Sequence, residues 1–554
     1  MRTPKTLLPL ALLAAGLTLA ACGGNDSASG GDPGAAFAGA TPVKGGTISY
    51  GHEQEPPCLI GGWVQQAYIE RQFADSLVSQ VKEGEIVPWL ATKWKVSDDQ
   101  KTWTFTLKPG VKFTDGTPLN AAAVKTNFET WLNPKSLNPT VDAYIGEYYK
   151  SSKALNDTTF ELTLTKPYAP LLSALSQGYF GILSPKQLAK GPQVNCEQPV
   201  GSGPFIVKKW NRGKNIEFVK NPNYNSAPAN AKHQGPAYVD GITWKFLGDQ
   251  TVRYGSLTSG ESNVIYNVPT VNWKDAKQKF EVQQYITPGR PVTFSLNTVK
   301  GPFTDKLVRQ AFGYAADRKA AVESAFNDVI PYNGNGALSQ STPDYDKGLA
   351  DAYPYDPEKA AQLLDQAGWK ENGDGVREKD GKKLTVNLVY PAGAVFSAEG
   401  ATALQNIQEQ LKQVGFDAKL TAATQSEVFS GKYSTPDSYD AITWYWTSPT
   451  AGVLYIVWRQ NLKDRPNGNN SSFYNNPTLE NTIEKANSTL DPAEQKALYA
   501  KAQKIIVDEA AAIGLYTQTT SLASEPKLRD VWIENSQGEP VFHDAFFAKE
   551  GGDS

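Results

Sequence analysis

FSLNTVKGPFTDKLVRQAFGYAADR, residues 294–318, holds the transition that decides the fold. Val292, Phe294 and Leu296 alternate with Thr293, Ser295 and Asn297, the period of a strand with one buried face. Lys300-Gly301-Pro302 breaks that strand. Thr304 or Asp305 then offers a helix N-cap, and Leu307, Val308, Ala311, Phe312 and Ala315 share one helical face. The pattern restarts at Asp317 with Ala321, Val322 and Ala325. A buried strand followed by an amphipathic helix begins an α/β reading.

The same grammar recurs outward in both directions. On the N-terminal side, Lys44 to Tyr50 reads as a first strand, followed by a loop, His52 to Cys58. Ile69, Phe73 and Leu77 give Val64 to Ser79 a helical pattern. Trp103, Phe105 and Leu107 alternate with threonines, turns follow at Pro109-Gly110 and Asp115-Gly116, and Asn120 caps a helix carrying Val124, Phe128 and Leu132. Gly201-Ser202-Gly203 lacks the spacing of a phosphate loop and is read as a turn. On the C-terminal side, Asp356-Pro357 opens a helix with cap and proline in order, and Gly368 ends it. Asn372 to Gly375 lacks the spaced acids of a calcium loop and reads as a hairpin turn. Asp491-Pro492 opens the last long helix.

Several of these strings resemble one family, the extracellular solute-binding proteins, family 5, of ABC importers. The resemblance rests on Asn297, Pro302-Phe303, Asp305, Val308 to Ala311 and Asp317-Arg318, on Trp94 to Pro118, on Pro199 to Tyr224 and on Tyr355 to Trp369. It covers nearly all of the chain after the leader. It implies a two-lobed periplasmic-binding-protein-like fold of the large peptide-binding class, with mixed sheets flanked by helices. Lobe I is expected at 42–293 and 518–554, with an inserted subdomain at about 63–197, and lobe II at 294–517. Two crossings, near Pro288 to Phe294 and Leu515 to Ser521, would form a hinge over a cleft. The implied partners are a small solute, a peptide first, and an ABC permease; the implied state is a monomer.

Arg2 and Lys5 precede an apolar run from Leu7 to Ala21, the pattern of a secretory signal. Leu19-Ala20-Ala21-Cys22 resembles a bacterial lipobox, which implies lipid attachment at Cys22. The Gly-, Ala- and Ser-rich stretch that follows, to residue 41, reads as a flexible tether. The protein is therefore expected outside the cytoplasmic membrane, held to it by acyl chains. Cys58 and Cys196 remain, and an even pair in an exported chain favours a bridge over two buried thiols.

Composition removes other classes. The 554 residues carry 54 Lys and Arg against 57 Asp and Glu, so no basic excess suits nucleic acid. Three histidines, His52, His233 and His543, form no helical metal pair, and no Gly-x-Ser-x-Gly elbow occurs. A secreted hydrolase is the weaker alternative, and a repeat adhesin is disfavoured. No cofactor is expected, and no clustered His or Cys metal site is read.

The ligand site is expected around Tyr439 to Trp458, with Trp444, Tyr445 and Trp446 at its centre and Phe396, Tyr179 and Glu55 from other loops. In dipeptide- and oligopeptide-binding relatives an Asp in the loop after this strand pairs with the α-ammonium; here Thr447, Ser448 and Pro449 occupy that span. The loop Pro391 to Phe396 holds no arginine for the α-carboxylate. A free zwitterionic dipeptide is therefore disfavoured, because a buried charge without a partner costs about 3–5 kcal/mol. A longer peptide held by its backbone comes first, an uncharged oligosaccharide or peptide-like metabolite second. Strand alternation sends Trp444 and Trp446 to one face and Tyr445 to the other; which face meets the cleft is open.

Overall fold

The computed structural model describes residues 33–549 except 63, 135–137, 394 and 395. The leader and Cys22 lie outside the described residues. Part of the expected tether does not: Ala35–Phe37 forms a single 3-10 turn, and Gly34 is buried beside Glu281 and Arg529.

Three sheets organise the chain. A seven-stranded mixed sheet runs, in spatial order, Glu281–Ile286, Thr519–Ser524, Val264–Tyr266, Thr47–His52, Gly241–Phe246, Asn215–Lys220 and Phe205–Asn211. A five-stranded mixed sheet runs Asp417–Ala423, Thr385–Pro391, Ala441–Thr447, Gly289–Leu296 and Ala512–Gly514. The inserted layer is a four-stranded antiparallel sheet, Ala91–Val96, Thr102–Leu107, Thr159–Leu164 and Tyr149–Asn156.

The strand–helix unit at the centre of the sequence builds the second sheet. All eight residues of Gly289–Leu296 are buried, because a sheet lies on each edge and helices on its faces. Asp305 is the cap: its carboxylate accepts the amide of Leu307 at 2.9 Å and opens the helix Lys306–Tyr314. Asp317 caps Arg318–Ala325 in the same way. Arg309 and Arg318 are buried and spend their charge on carbonyls. Arg318 donates to Gly514 O and Tyr353 O, each at 2.6 Å, and Arg309 to Phe303 O and Glu509 O, each at 2.9 Å. Hydrogen bonds to a charged group contribute about 1.5–3 kcal/mol each, so these arginines fasten the helix pair to the strand Ala512–Gly514.

The chain passes between the large sheets twice, at 287–288 and at 515–518, and the two passages touch: Thr287 N–H donates to Gln518 O at 2.8 Å. The first passage falls before Gly289, so residues 289–293, expected in lobe I, sit in the second sheet instead. Gly289 has φ +116°, and a Cβ there would lie 2.0 Å from Trp446 O. Only glycine fits that corner. The Gly-Ser-Gly turn has a packing cause too: a Cβ on Gly201 would lie 2.0 Å from Phe73 O.

One expected helix is shorter than its pattern. Val64–Phe73 is helical, but Leu77 does not continue it; Val78–Gln80 pairs with Ile86–Pro88 instead. A neighbouring strand won over local period. Among the described residues no helix is long and apolar enough to cross a membrane.

Cys58 and Cys196 lie with Cα atoms 4.8 Å apart across 138 residues of chain, within disulfide range. A bridge there would pin the loop after the first strand to the helix Pro192–Glu197. Thiol titration of the denatured, unreduced mature protein is expected to find no free thiol. Reduction is expected to cost about 2–5 kcal/mol of stability in denaturant unfolding.

Candidate functional site

The strand Ala441–Thr447 runs from the second sheet into the space between the lobes. Its pairing settles which face is which. Trp444 lies opposite Thr293 and Trp446 opposite Arg290 on the neighbouring strand. Residues directly opposite share a face. Ile442, Trp444 and Trp446 thus form one face and line a cavity of about 400 Å³. The Tyr445 ring turns into the core of the second lobe, 8 % exposed, although the residue also borders the cavity.

The far wall comes from the inserted layer and its connections. Tyr179, Thr140, Pro139 and Gly62 face the tryptophans, and Tyr433, Gly468 and Asn469 close the rim. Tyr144 joins the walls: its hydroxyl donates to Thr447 O at 2.9 Å and accepts from Trp446 Nε1 at 3.2 Å. Tyr179 packs beside it, with ring centroids 6.4 Å apart. No lining residue of this cavity is charged or a histidine. A second, polar chamber of about 250 Å³ shares Pro139, Gly468 and Asn469 and contains the Glu147–Arg459 ion pair at 3.2 Å.

Sequence reasoning missed Arg290. It is buried beside Trp446 in the strand register, and its guanidinium donates to the hydroxyls of Thr293 and Ser295. No carboxylate pairs with it among the described residues. Burial pulls its pKa down to about 10, still cationic at neutral pH. The strand pattern hid it because a bulge between Arg290 and Thr293 interrupts the alternation.

Three expected residues sit otherwise than foreseen. Glu55 is outside the cleft: its carboxylate accepts Trp210 Nε1 at 2.9 Å and the amide of Gly213 at 3.0 Å, holding a hairpin turn. Glu53, two residues earlier, is the one between the lobes. It borders a smaller cavity of about 120 Å³ at the hinge, 3.7 Å from Arg253. Its charge is already answered there, so the hinge cavity has less to offer a ligand. Phe396 is core, 2 % exposed, packed against Tyr390 and Tyr516. Tyr445 borders the cavity but packs its ring into the core of the second lobe. The expectation of no histidine cluster also needs correcting. His233 and His543 stack, with centroids 4.1 Å apart, beside Asp544, on lobe I and not in the cleft.

A pair of buried acids supports the floor. Arg71 is ion-paired with Glu539, which also accepts the amide of Gly178, next to Tyr179. Glu534 lies beside them, and burial and the neighbouring Glu539 charge hold it well above the ordinary 4.5. One arginine thus faces two carboxyls, and the second is held toward its neutral form.

The profile of the bacterial extracellular solute-binding proteins, family 5, matches residues 85–468. The chain belongs to that family. The family is one of binding proteins, not enzymes. Two curated relatives are similar over most of the chain. A nickel-binding periplasmic protein of Escherichia coli is 26% identical over 477 residues, 84% of this chain and 87% of its own. The glutathione-binding protein GsiB of Shigella dysenteriae is 28% identical over 481 residues, 85% and 88% respectively. Among solved structures, NikA from Brucella suis with Fe(III)-EDTA matches with TM-score 0.79 at 23% identity, covering 91% of this chain and all of that one. The oligopeptide-binding protein AppA from Bacillus subtilis with a nonapeptide matches with TM-score 0.77 at 24% identity, over 92% and 100%. These likenesses establish the periplasmic-binding-protein fold.

The acid pair makes a pH prediction. A raised carboxyl pKa in the folded state means the fold binds a proton that the unfolded chain has lost. Glu534 therefore costs stability progressively as pH rises above 4.5. Glu534→Gln removes that cost. Its melting temperature minus that of the wild type is expected to grow more positive from pH 5 to pH 8 in calorimetry; a constant difference would contradict the protonated acid.

Proposed function

We propose that this protein captures a peptide or peptide-like solute outside the cytoplasmic membrane and delivers it to an ABC permease. The observation that carries the substrate class is the cavity behind Trp444 and Trp446, roomy, aromatic and lined by no charged side chain. A solute there is held by stacking and by hydrogen bonds along its length rather than by ion pairs at its ends. The second chamber gives a longer solute a polar continuation. Arg290 lies beside the aromatic wall, and its charge favours neutral or anionic solutes over cationic ones there.

Relatives take nickel, glutathione and a nonapeptide. A bare metal ion is a poor occupant here, since no histidine, cysteine or acid lines the aromatic cavity. Two tryptophans on one face also suit a sugar ring, and an uncharged oligosaccharide is the second reading.

Native mass spectrometry of protein from its own host identifies the solute. Trp444→Ala and Trp446→Ala are each expected to cost about 1–3 kcal/mol, roughly 5- to 150-fold in Kd by calorimetry. Lys-rich peptides are expected to bind more weakly than neutral ones of equal length. Unchanged affinity in both variants would place the site elsewhere. For the lipobox, Cys22→Ala is expected to abolish lipid labelling and membrane retention; retention of both would remove the anchor from the proposal.

A further inference from the structure

Two of the three histidines in this chain, 310 residues apart in sequence, meet at one acid on lobe I. His233 lies in the loop before the strand Gly241–Phe246, and His543 and Asp544 lie near the C-terminus. The side-chain atoms these three residues can offer a metal lie within 4.8 Å of one another. The cluster is outside the cleft and shares no residue with the aromatic cavity or its polar neighbour.

The hydrogen bonds around the cluster sort its atoms into two sets. The outer set is already fixed by the protein. His233 Nε2 donates to Pro236 O at 3.1 Å and His543 Nε2 to Gly235 O at 2.8 Å. Asp544 Oδ2 accepts Trp532 Nε1 at 3.0 Å and the amide of Lys232 at 3.1 Å. The inner set is what remains. His233 Nδ1 is 2.9 Å and His543 Nδ1 is 3.1 Å from the same atom, Asp544 Oδ1. His543 is 4 % exposed, and its Nδ1 lies against Asp544 Oδ1 without the alignment of a good hydrogen bond. A buried ring nitrogen left without a hydrogen bond costs free energy. Here it points at a carboxylate oxygen and a second imidazole.

That division is the one a metal centre requires. A ligating histidine donates its other N–H to a carbonyl or carboxylate, which fixes the tautomer and turns the lone pair inward. Both rings do so onto neighbouring carbonyls of one loop, and the acid is oriented by an indole and an amide. Ligands about 2.1 Å from a tetrahedral zinc lie about 3.4 Å apart, near the two spacings to Asp544 Oδ1. The geometry points to a divalent transition-metal site, of the zinc class, formed by His233 Nδ1, His543 Nδ1 and Asp544 Oδ1. Two imidazoles and one carboxylate suit zinc over calcium or magnesium, which prefer all-oxygen shells. His233, whose side chain is 14 % exposed, is the side of the cluster open to solvent. The rings are parallel within 6°, so metal entry must splay them, and His233, the outer ring, is the one with room to turn. Binding requires both ring nitrogens unprotonated, so any proton they hold leaves to solvent. The metal would clasp the C-terminal segment to the loop at 233–236 and so stabilise lobe I.

The test uses tag-free, chelator-treated mature protein titrated with zinc chloride. One equivalent is expected to bind with proton release, seen as a buffer-dependent calorimetric heat, and to raise the melting temperature. Cobalt(II) in place of zinc is expected to give the visible absorption of a tetrahedral ion. His233→Ala, a partly exposed change that spares the buried ring, is expected to abolish both signals. Trp532→Phe removes only an outer hydrogen bond and is expected to weaken zinc roughly 10- to 100-fold. Absence of stoichiometric zinc binding by the wild type overturns the proposal, as does equal affinity in His233→Ala.

Discussion

Two short passages of chain, 287–288 and 515–518, are the constraint on which the molecule depends. They are the places where the chain leaves one large sheet for the other, and a backbone hydrogen bond joins them. Their geometry is exacting on the second-lobe side. Gly289 stands where any side chain would strike the carbonyl of Trp446. The corner that starts one strand therefore sets the end of its neighbour, and that neighbour's end is the aromatic wall. Hinge and aromatic wall are adjoining strands of one sheet. A change at residue 289 would alter both the lobe angle and the placing of Trp446.

The distribution of charge follows from the same plan. Buried arginines do the fastening: Arg318 and Arg309 hold helices to carbonyls, and Arg71 holds the chain tail to the layer that carries Tyr179. Each is answered by oxygen close by, so burial is tolerable. The aromatic cavity, in contrast, receives none of these groups. Arg290, beside the wall but not in the lining, is answered only by hydroxyls. A scaffold that spends its ionic contacts on its own joints leaves a recognition surface of rings and amides.

A continuous apolar core joins the inserted layer to the helices Val453–Trp458, Pro477–Ser488 and Pro492–Asp508. Polar ties accompany it: Ala169 N–H donates to Asn487 O at 2.7 Å, and Tyr455 O–H donates to Glu147. The inserted layer therefore buttresses the second lobe as well as extending the first. The walls of the aromatic cavity are held on both sides in the conformation seen.

Sequence alone determined what local chemistry determines. Alternation at Val292 to Leu296 gave a strand, Asp317 and Asp356 gave helix starts, and the recurring strings gave the family and its two-lobed fold. It also singled out the segment that holds Trp444 and Trp446, because three aromatic residues at a strand end are legible without coordinates. Tertiary structure decided which of them face the cleft, since both faces of a buried strand carry apolar side chains and only the pairing with Arg290 and Thr293 breaks the tie. It moved the acid between the lobes from Glu55 to Glu53, because a hairpin 155 residues downstream captures Glu55. It revealed Arg290, hidden by a bulge, and joined His233 to His543 and Asp544 across 310 residues. Those outcomes depend on contacts between distant segments, and local periodicity carries no information about which distant segments meet.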